Sequence, residues 1–193
     1  LVENGGPVIR YRADMELLSK PESVDVEKLR KGLLESRLVK LWLPRLVPDM
    51  TAGGLHGSKN TAYENVMGKL TQIGCRAGMP PFDERTLPFR HWLQEQVERP
   101  KEGLGWSFYQ IQVATFLAMA GYAEDEAVKM VLMRRLETLY EFTRMGVYDI
   151  YIDQDTYPGF PKAFRKRPLI NPEFNWKLPL IYDIYGLASS SAQ

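Results

Sequence analysis

The chain has 193 residues, 45% of them apolar and 25% charged, enough for one cooperative domain whose core needs neither disulfides nor metal to hold it together. Its 25 lysines and arginines against 24 acids leave a formal charge of +1, so the dense basic stripe that phosphate-backbone binding requires is missing and nucleic acid is not an expected partner. A single cysteine, Cys75, excludes an internal disulfide framework and fits a reducing, cytoplasmic setting; its place in "LTQIGCRAGM" reads as an inert, semi-buried thiol at a helix end. No run approaches the roughly 20 apolar residues of a membrane span, and no signal-peptide pattern opens the chain. The first residue is Leu1 rather than Met, which leaves an upstream segment open.

From the start, "PVIRYRADMELLSKPESVDVEKLRKGLLES" predicts a short helix, a break at Pro21, and a helix from near Ser23 with Val26, Leu29, Leu33 and Leu34 on one face. "RLVKLWLPRL" continues as an apolar stretch that Pro44 stops or kinks. The loop "VPDMTAGGLHGSKN" follows, with three glycines and His56. Asn60 to Gly74 places Tyr63, Val66, Met67, Leu70 and Ile73 at helical spacing, with Gly74 as the C-terminal cap. Pro80 and Pro81 predict a turn before a helix from Glu84 to Val97, and Gly105 to Gly121 predicts a strongly apolar helix. Glu124 and Asp125 then open a long helix through Phe142.

These stretches repeat one plan. Val66 matches Val113, Leu70 matches Leu117, and Gly74 and Gly121 are each followed by a turn and a more amphipathic helix. A helical hairpin occurring twice, with a period of about 40 to 50 residues, is the signature of stacked helical-repeat folds, the more apolar helix of each pair being the inner one. An irregular helical domain is the alternative.

After Gly146 the period changes to two: Tyr148, Ile150 and Ile152 fall on one face, Asp149, Tyr151, Asp153 and Asp155 on the other. With the Pro158-Gly159 turn and the basic run after it, this predicts a short β-hairpin or extended insertion near 147–168. The three aspartates offer oxygen ligands for Ca²⁺ or Mg²⁺, yet the glycine-punctuated loop of an EF-hand is missing. Pairing across the hairpin with Lys162, Arg165, Lys166 and Arg167 explains them without metal and is the preferred account. Helix resumes after Pro179 with Ile181, Ile184, Tyr185 and Ala188 on one face.

The stretches "TAYENVMGKLTQIG", "WSFYQIQVATFLAMAGY" with "VLMRRLETLYEF", and "FNWKLPLIYDIYGLA" give the chain a pattern that resembles the α/α-toroid proteins of the terpenoid-cyclase and prenyltransferase superfamily, over residues 10–190. The resemblance implies an all-α, single helical-repeat domain over 1–193, a small toroid or part of one, with paired inner and outer helices around a cavity. The superfamily's chemistry does not carry over as readily. Its protonating Asp-x-Asp-Asp motif meets only Asp153-Gln154-Asp155-Thr156, which lacks the final acid, and its zinc ligands have no counterpart around Cys75. No metal and no cofactor is expected.

Candidate chemistry lies in three places. In "GGLHGSKN", His56 sits between glycines, with Lys59 after it and Tyr63 and Glu64 on the next helix; histidine is the natural proton shuttle near neutral pH, and a flexible connector with a solvated histidine is the alternative. In "NWKLPLIYDIY", Asp183 lies among Trp176, Tyr182 and Tyr185; burial favours the neutral, acid-competent carboxyl unless a lysine or arginine pairs with it. In "GLGWSFYQ", Trp106, Tyr109 and Gln110 read as a pocket mouth or as plain core. His91, on an amphipathic helix, reads as structural.

Together these predict an enzyme acting on a small organic molecule by acid–base chemistry of the lyase, isomerase or cyclase kind. His56, Tyr63 and Asp183 are the catalytic candidates, and Lys59, Glu64, Trp106, Tyr109, Gln110 and Tyr185 the substrate-binding ones. The rival is a non-enzymatic helical-repeat module that binds a protein partner, a second copy or an additional chain completing the fold.

Overall fold

The computed structural model describes residues 5–17, 25–99, 104–146 and 179–190, with the side chains of 104–107 outside that description. Every regular element among them is helical. The hairpin expected over 147–168, with Asp149, Asp153 and Asp155 and the basic arm facing them, lies outside the described residues. Among the described residues no helix is long and apolar enough to cross a membrane.

The first part of the chain breaks into more helices than its apolar periodicity predicts, because polar caps stop and restart them. Helix α1 (Pro7–Arg12) runs on through a π turn, Ala13–Leu17. Helix α2 (Val26–Leu34) begins where the Asp25 carboxylate accepts the Lys28 N–H at 3.0 Å, later than the expected start near Ser23. Helix α3 (Arg37–Trp42) is separate from it, since Ser36 Oγ accepts the Val39 N–H at 3.3 Å and starts a new first turn. Pro44 then converts the next turn to a 3₁₀ turn, Leu43–Arg45.

The glycine-rich loop that carries His56 is built rather than slack. Thr51 Oγ1 accepts the Gly54 N–H at 3.1 Å and so caps a single turn, α4 (Ala52–Leu55), while the Asp49 carboxylate accepts from the Thr51 hydroxyl at 2.7 Å and its N–H at 3.0 Å. Gly54 is buried here, and a Cβ on it would lie 2.4 Å from the Asp49 carbonyl oxygen. The chain can pass this point only without a side chain.

Helix α5 (Tyr63–Ile73) ends at Gly74, whose φ of 111° is left-handed and whose N–H, with that of Cys75, returns to the Leu70 carbonyl. Helix α6 (Pro80–Glu98) starts earlier than expected. Pro80 and Pro81 do not form a turn before it but occupy its first positions, where a missing N–H costs nothing. Helix α7 (Leu104–Leu117) passes into a π segment, Ala118–Tyr122, broken at Gly121 (φ 96°). Helix α8 (Glu126–Arg144) and, after the undescribed segment, helix α9 (Ile181–Ser190) complete the fold.

Helix α7 is the centre, packed against α4, α5, α6, α8 and α9. It is buried nearly all round, as an inner helix must be if its apolar residues have no preferred side. Val66 and Leu70 on α5, and Val113 and Leu117 on α7, are fully buried in one core with Phe82, Phe89 and Leu93 of α6. Tyr63 and Phe89 pack at a tilt with ring centroids 4.5 Å apart, and the turn after α5 is joined to the π segment after α7 by the Ala77 N–H donating to the Ala120 carbonyl at 2.8 Å.

Helix α9 docks with the face opposite to the one its sequence predicts. Ile181, Ile184 and Tyr185 are 56%, 63% and 50% exposed, whereas Asp183 and Gly186 are buried. The physical reason is close approach plus polar anchoring. A Cβ at Gly186 would lie 2.7 Å from Leu132 and 3.0 Å from Thr115 Oγ1, and the same Thr115 hydroxyl donates to the Tyr182 carbonyl at 2.9 Å.

Gly54→Ala is expected to destabilise the protein by about 1–3 kcal/mol, because its new methyl meets backbone, while Gly53→Ala, which meets nothing within 4 Å, stays close to wild type. Denaturant unfolding of the two variants side by side checks this.

Candidate functional site

The built loop and helices α5, α7 and α9 bring four side chains together from distant parts of the chain. His56 Nδ1 lies 2.8 Å from Glu64 Oε1, and the Gly57 N–H donates to that same oxygen at 2.8 Å. On the other carboxylate oxygen, Oε2, converge the Tyr182 hydroxyl at 2.9 Å and Gln112 Nε2 at 2.8 Å. Gln112 Nε2 is also 2.9 Å from His56 Nδ1 and 3.3 Å from the Tyr182 oxygen. Asn65 on α5 steadies the loop by donating to the Gly57 carbonyl at 2.6 Å and the Lys59 carbonyl at 3.0 Å. Phe108 on α7 walls the cluster edge-on, with centroids 5.1 Å from the His56 ring and 5.7 Å from that of Tyr182.

The electrostatics follow from those contacts. Desolvation pushes the Glu64 carboxyl towards its neutral form, but the donors from Gly57, Tyr182 and His56 outweigh it, so its pKa falls below the ordinary 4.5. Burial, with the Glu64 charge beside it, holds the Tyr182 phenol protonated up to about 12, although the Gln112 amide pulls the other way. The Glu64 side chain is 14% exposed and that of His56 45%, so the ring stands at the surface with its Nδ1 edge turned inward. No described residue hydrogen-bonds its Nε2. A carboxylate–imidazole couple whose second ring nitrogen has no partner among the described residues can accept or deliver a proton, which is the chemistry this arrangement offers.

Of the residues singled out in the sequence, His56 and Glu64 meet directly. Lys59 is exposed in the same loop and contributes its carbonyl to Asn65. Tyr63, read as an acid, is fully buried; its hydroxyl donates to the Val113 carbonyl at 3.1 Å, and desolvation raises its pKa well above 10.0, so it links α5 to α7 instead.

Asp183, also read as an acid, is the carboxylate of a buried pair. Arg135 Nε and Nη2 reach its two oxygens at 2.8 Å each, and the Leu180 N–H donates to it at 2.8 Å. Its role is to dock α9 on α8.

Gln110 is buried and gives a long 3.4 Å bond to the Gln96 carbonyl, Tyr109 is half-buried edge-on to Phe108, and Tyr185 faces outward rather than walling a pocket. The Trp106 side chain lies outside the described residues. Sequence reasoning missed Gln112 and Tyr182. The available signal was Gln112 itself, a polar side chain in the most apolar helix, which must find partners when buried.

A second polar group, remote from the first, joins the start of α6 to that of α8. The Tyr122 hydroxyl donates to Asp83 and accepts from Thr86, Arg90 stacks on the Tyr122 ring at 4.6 Å, and Arg90 Nε donates to Asp125 at 2.6 Å. A surface cleft of about 270 Å³ beside it is lined by Arg90, His91, Gln94 and Asp125 among others. His91 is exposed there. Cys75 is buried and its thiol is pushed up to about 12 by desolvation, so it carries no nucleophilic chemistry. Among the described residues no three His, Cys, Asp or Glu side chains are grouped to hold a metal ion. No family model, no curated protein and no solved structure matches the chain.

Two outcomes follow from these contacts. Glu64 has a depressed folded-state pKa, so its contribution to stability is full above about pH 4.5 and is lost as pH falls through the lower folded value; thermal midpoints measured down to about pH 3 should fall less steeply for Glu64→Gln than for wild type. Asp183→Ala removes the buried carboxylate that Arg135 grips at both oxygens and should cost about 3–5 kcal/mol in denaturant unfolding.

Proposed function

We propose that the chain is an enzyme whose helical-repeat scaffold presents His56 and Glu64 as an acid–base couple to a small organic molecule, in a reaction of the lyase, isomerase or cyclase kind. The observation that carries this reading is the 2.8 Å contact between Glu64 Oε1 and Nδ1 of a ring that is otherwise half exposed. A partly buried carboxylate that orients an imidazole from behind is an arrangement suited to general acid–base catalysis. The phenol of Tyr182 and the aromatic wall of Phe108 give the couple a fixed, partly apolar surround.

The α/α-toroid-like plan belongs to the same proposal. It is supported by the equivalent burial of Val66 and Val113 and of Leu70 and Leu117, and by the left-handed glycines that end both inner stretches. The lone buried thiol supports a cytoplasmic setting.

A second reading has its own observation. Met130, Met133, Leu136 and Tyr140 on α8, and Ile181, Ile184 and Tyr185 on α9, are all at least 40% exposed, more large apolar surface on two helices than scattered exposure accounts for. That favours a helical module whose face is covered by a second copy or another chain, a role compatible with enzymatic activity.

The test is deuterium incorporation. Small hydroxy, keto and unsaturated compounds are incubated with the protein in heavy water and read by mass spectrometry. Exchange by wild type that falls roughly 10²- to 10⁴-fold in His56→Gln is the expected result, and equal exchange by both overturns the assignment.

A further inference from the structure

Helix α8 leaves one side apolar and open. Met130, Met133, Leu136 and Tyr140 recur at spacings of three and four, so they form a single exposed stripe along the helix. The buried side is the opposite one, running from Val128 through Leu132 to Phe142. Helix α9 packs beside α8 with Ile184 and Tyr185 also facing out, which widens the open surface. Apolar surface of this extent on two neighbouring helices marks a contact with another chain.

The charges along the stripe say which chain. Glu126, Arg134 and Glu137 are exposed and form no ion pair with a described residue, and Arg144 lies over the Tyr140 ring at 5.7 Å. Glu137 and Glu141 repeat a like charge at i,i+4, which weakens an isolated helix, so this placement does not serve α8 itself. Counted outward from position 135, the face reads alike in both directions with its charges reversed. Glu126 lies nine positions before and Arg144 nine after, Met130 five before and Tyr140 five after. Arg134 lies one before and Glu137 two after, Met133 two before and Leu136 one after. An antiparallel copy of α8, turned about a two-fold axis level with position 135, therefore sets the members of each pair against one another within about 1.5 Å along the helix. Such an axis keeps each flank of the helix facing its own copy. At about 100° per residue Glu126, Glu137 and Arg144 share one flank, and Arg134 lies beside them, turned away from Leu132 where α9 docks.

We infer that α8 is the centre of a two-fold contact between two copies of this chain, α8 against α8 and antiparallel. Glu126 faces Arg144 of the partner subunit, Arg134 faces Glu137 of the partner subunit, and Met130 packs on Tyr140 of the partner subunit. The inference rests on the second reading above, that this face is covered, and it names the cover. A parallel copy would set acid on acid and arginine on arginine. A partner of another sequence gives the face no reason to complement its own reverse, whereas an isologous contact demands it. The apolar stripe supplies the affinity, and the charges at its edge fix direction and register.

Sedimentation velocity of the purified chain at micromolar concentration should give a dimer. Glu137→Arg sets arginine against Arg134 of the partner subunit, and Arg134→Glu sets acid against Glu137 of the partner subunit, so each alone should raise the dissociation constant roughly tenfold. An equimolar mixture of the two variants restores opposite charges at both contacts and should return the wild-type constant, which general destabilisation cannot do. Both positions are exposed, and circular dichroism checks the fold of each variant. Glu126→Arg mixed with Arg144→Glu repeats the test at the helix ends should a central variant fail to fold. A monomeric wild type overturns the inference, as do reversals without effect or a mixture no tighter than its components. Peroxide oxidation of Met130 and Met133 separates that failure from failure of the reading beneath it. Shielded methionines mean a face covered in another way, by a different pairing in a dimer or by another stretch of this chain in a monomer. Methionines that oxidise nearly as fast as in the unfolded chain mean a bare face, and overturn that reading as well.

Discussion

One carboxylate gathers the parts of this molecule that the chain keeps furthest apart. Glu64, on the first turn of α5, accepts from the loop before it, from α7 through Gln112 and from α9 through Tyr182. Each donor comes from an element that is positioned for a different reason: the loop by the Thr51 cap, α7 by burial on all sides, α9 by the Asp183–Arg135 pair. A partly buried anion is favoured where such donors are already in place, so the lowered pKa of Glu64 depends on all three elements being docked. The His56 ring is oriented by the same carboxylate and therefore inherits that requirement.

The inner helix α7 shows how the fold combines a dry core with a polar site. One side of it, through Val113, Ala114 and Leu117, packs as an apolar jigsaw, and along the same helix Gln112 and Thr115 are equally inaccessible. Thr115 resolves its polarity by bonding the backbone of α9, and Gln112 resolves half of its own at the cluster. Polar side chains in such a helix are rigidly held, because every neighbour is packed.

Much of the architecture was legible in the sequence. Helical spacing located α5, α7 and α8, and the glycine cap at Gly74 appears with the φ it was expected to need. The early misreadings have local causes. Ser36 and Asp25 restart helices that apolar periodicity alone would run together or begin too soon, and Pro80 and Pro81 are good first-turn residues as well as turn formers. His56 with Glu64 was legible because loop and helix are adjacent in the chain. Gln112 and Tyr182 were not, because only tertiary packing brings α7 and α9 to that loop. Asp183 was noticed for its apolar surroundings, but its partner Arg135 sits 48 positions earlier on α8, a pairing no local pattern reveals.

The way α9 is attached has a geometric consequence. Tyr182 and Asp183 are consecutive, so their side chains leave the helix about 100° apart, and one is held by Glu64 on α5 while the other is held by Arg135 on α8. Two anchors at that angle leave a cylinder free neither to roll about its axis nor to slide along it. Apolar packing is non-directional and would have let α9 turn its isoleucines inward. The orientation of this helix is therefore set by directional bonds working against its own hydrophobic preference, and its greasy side is left facing out as a result of where two neighbouring polar groups must point.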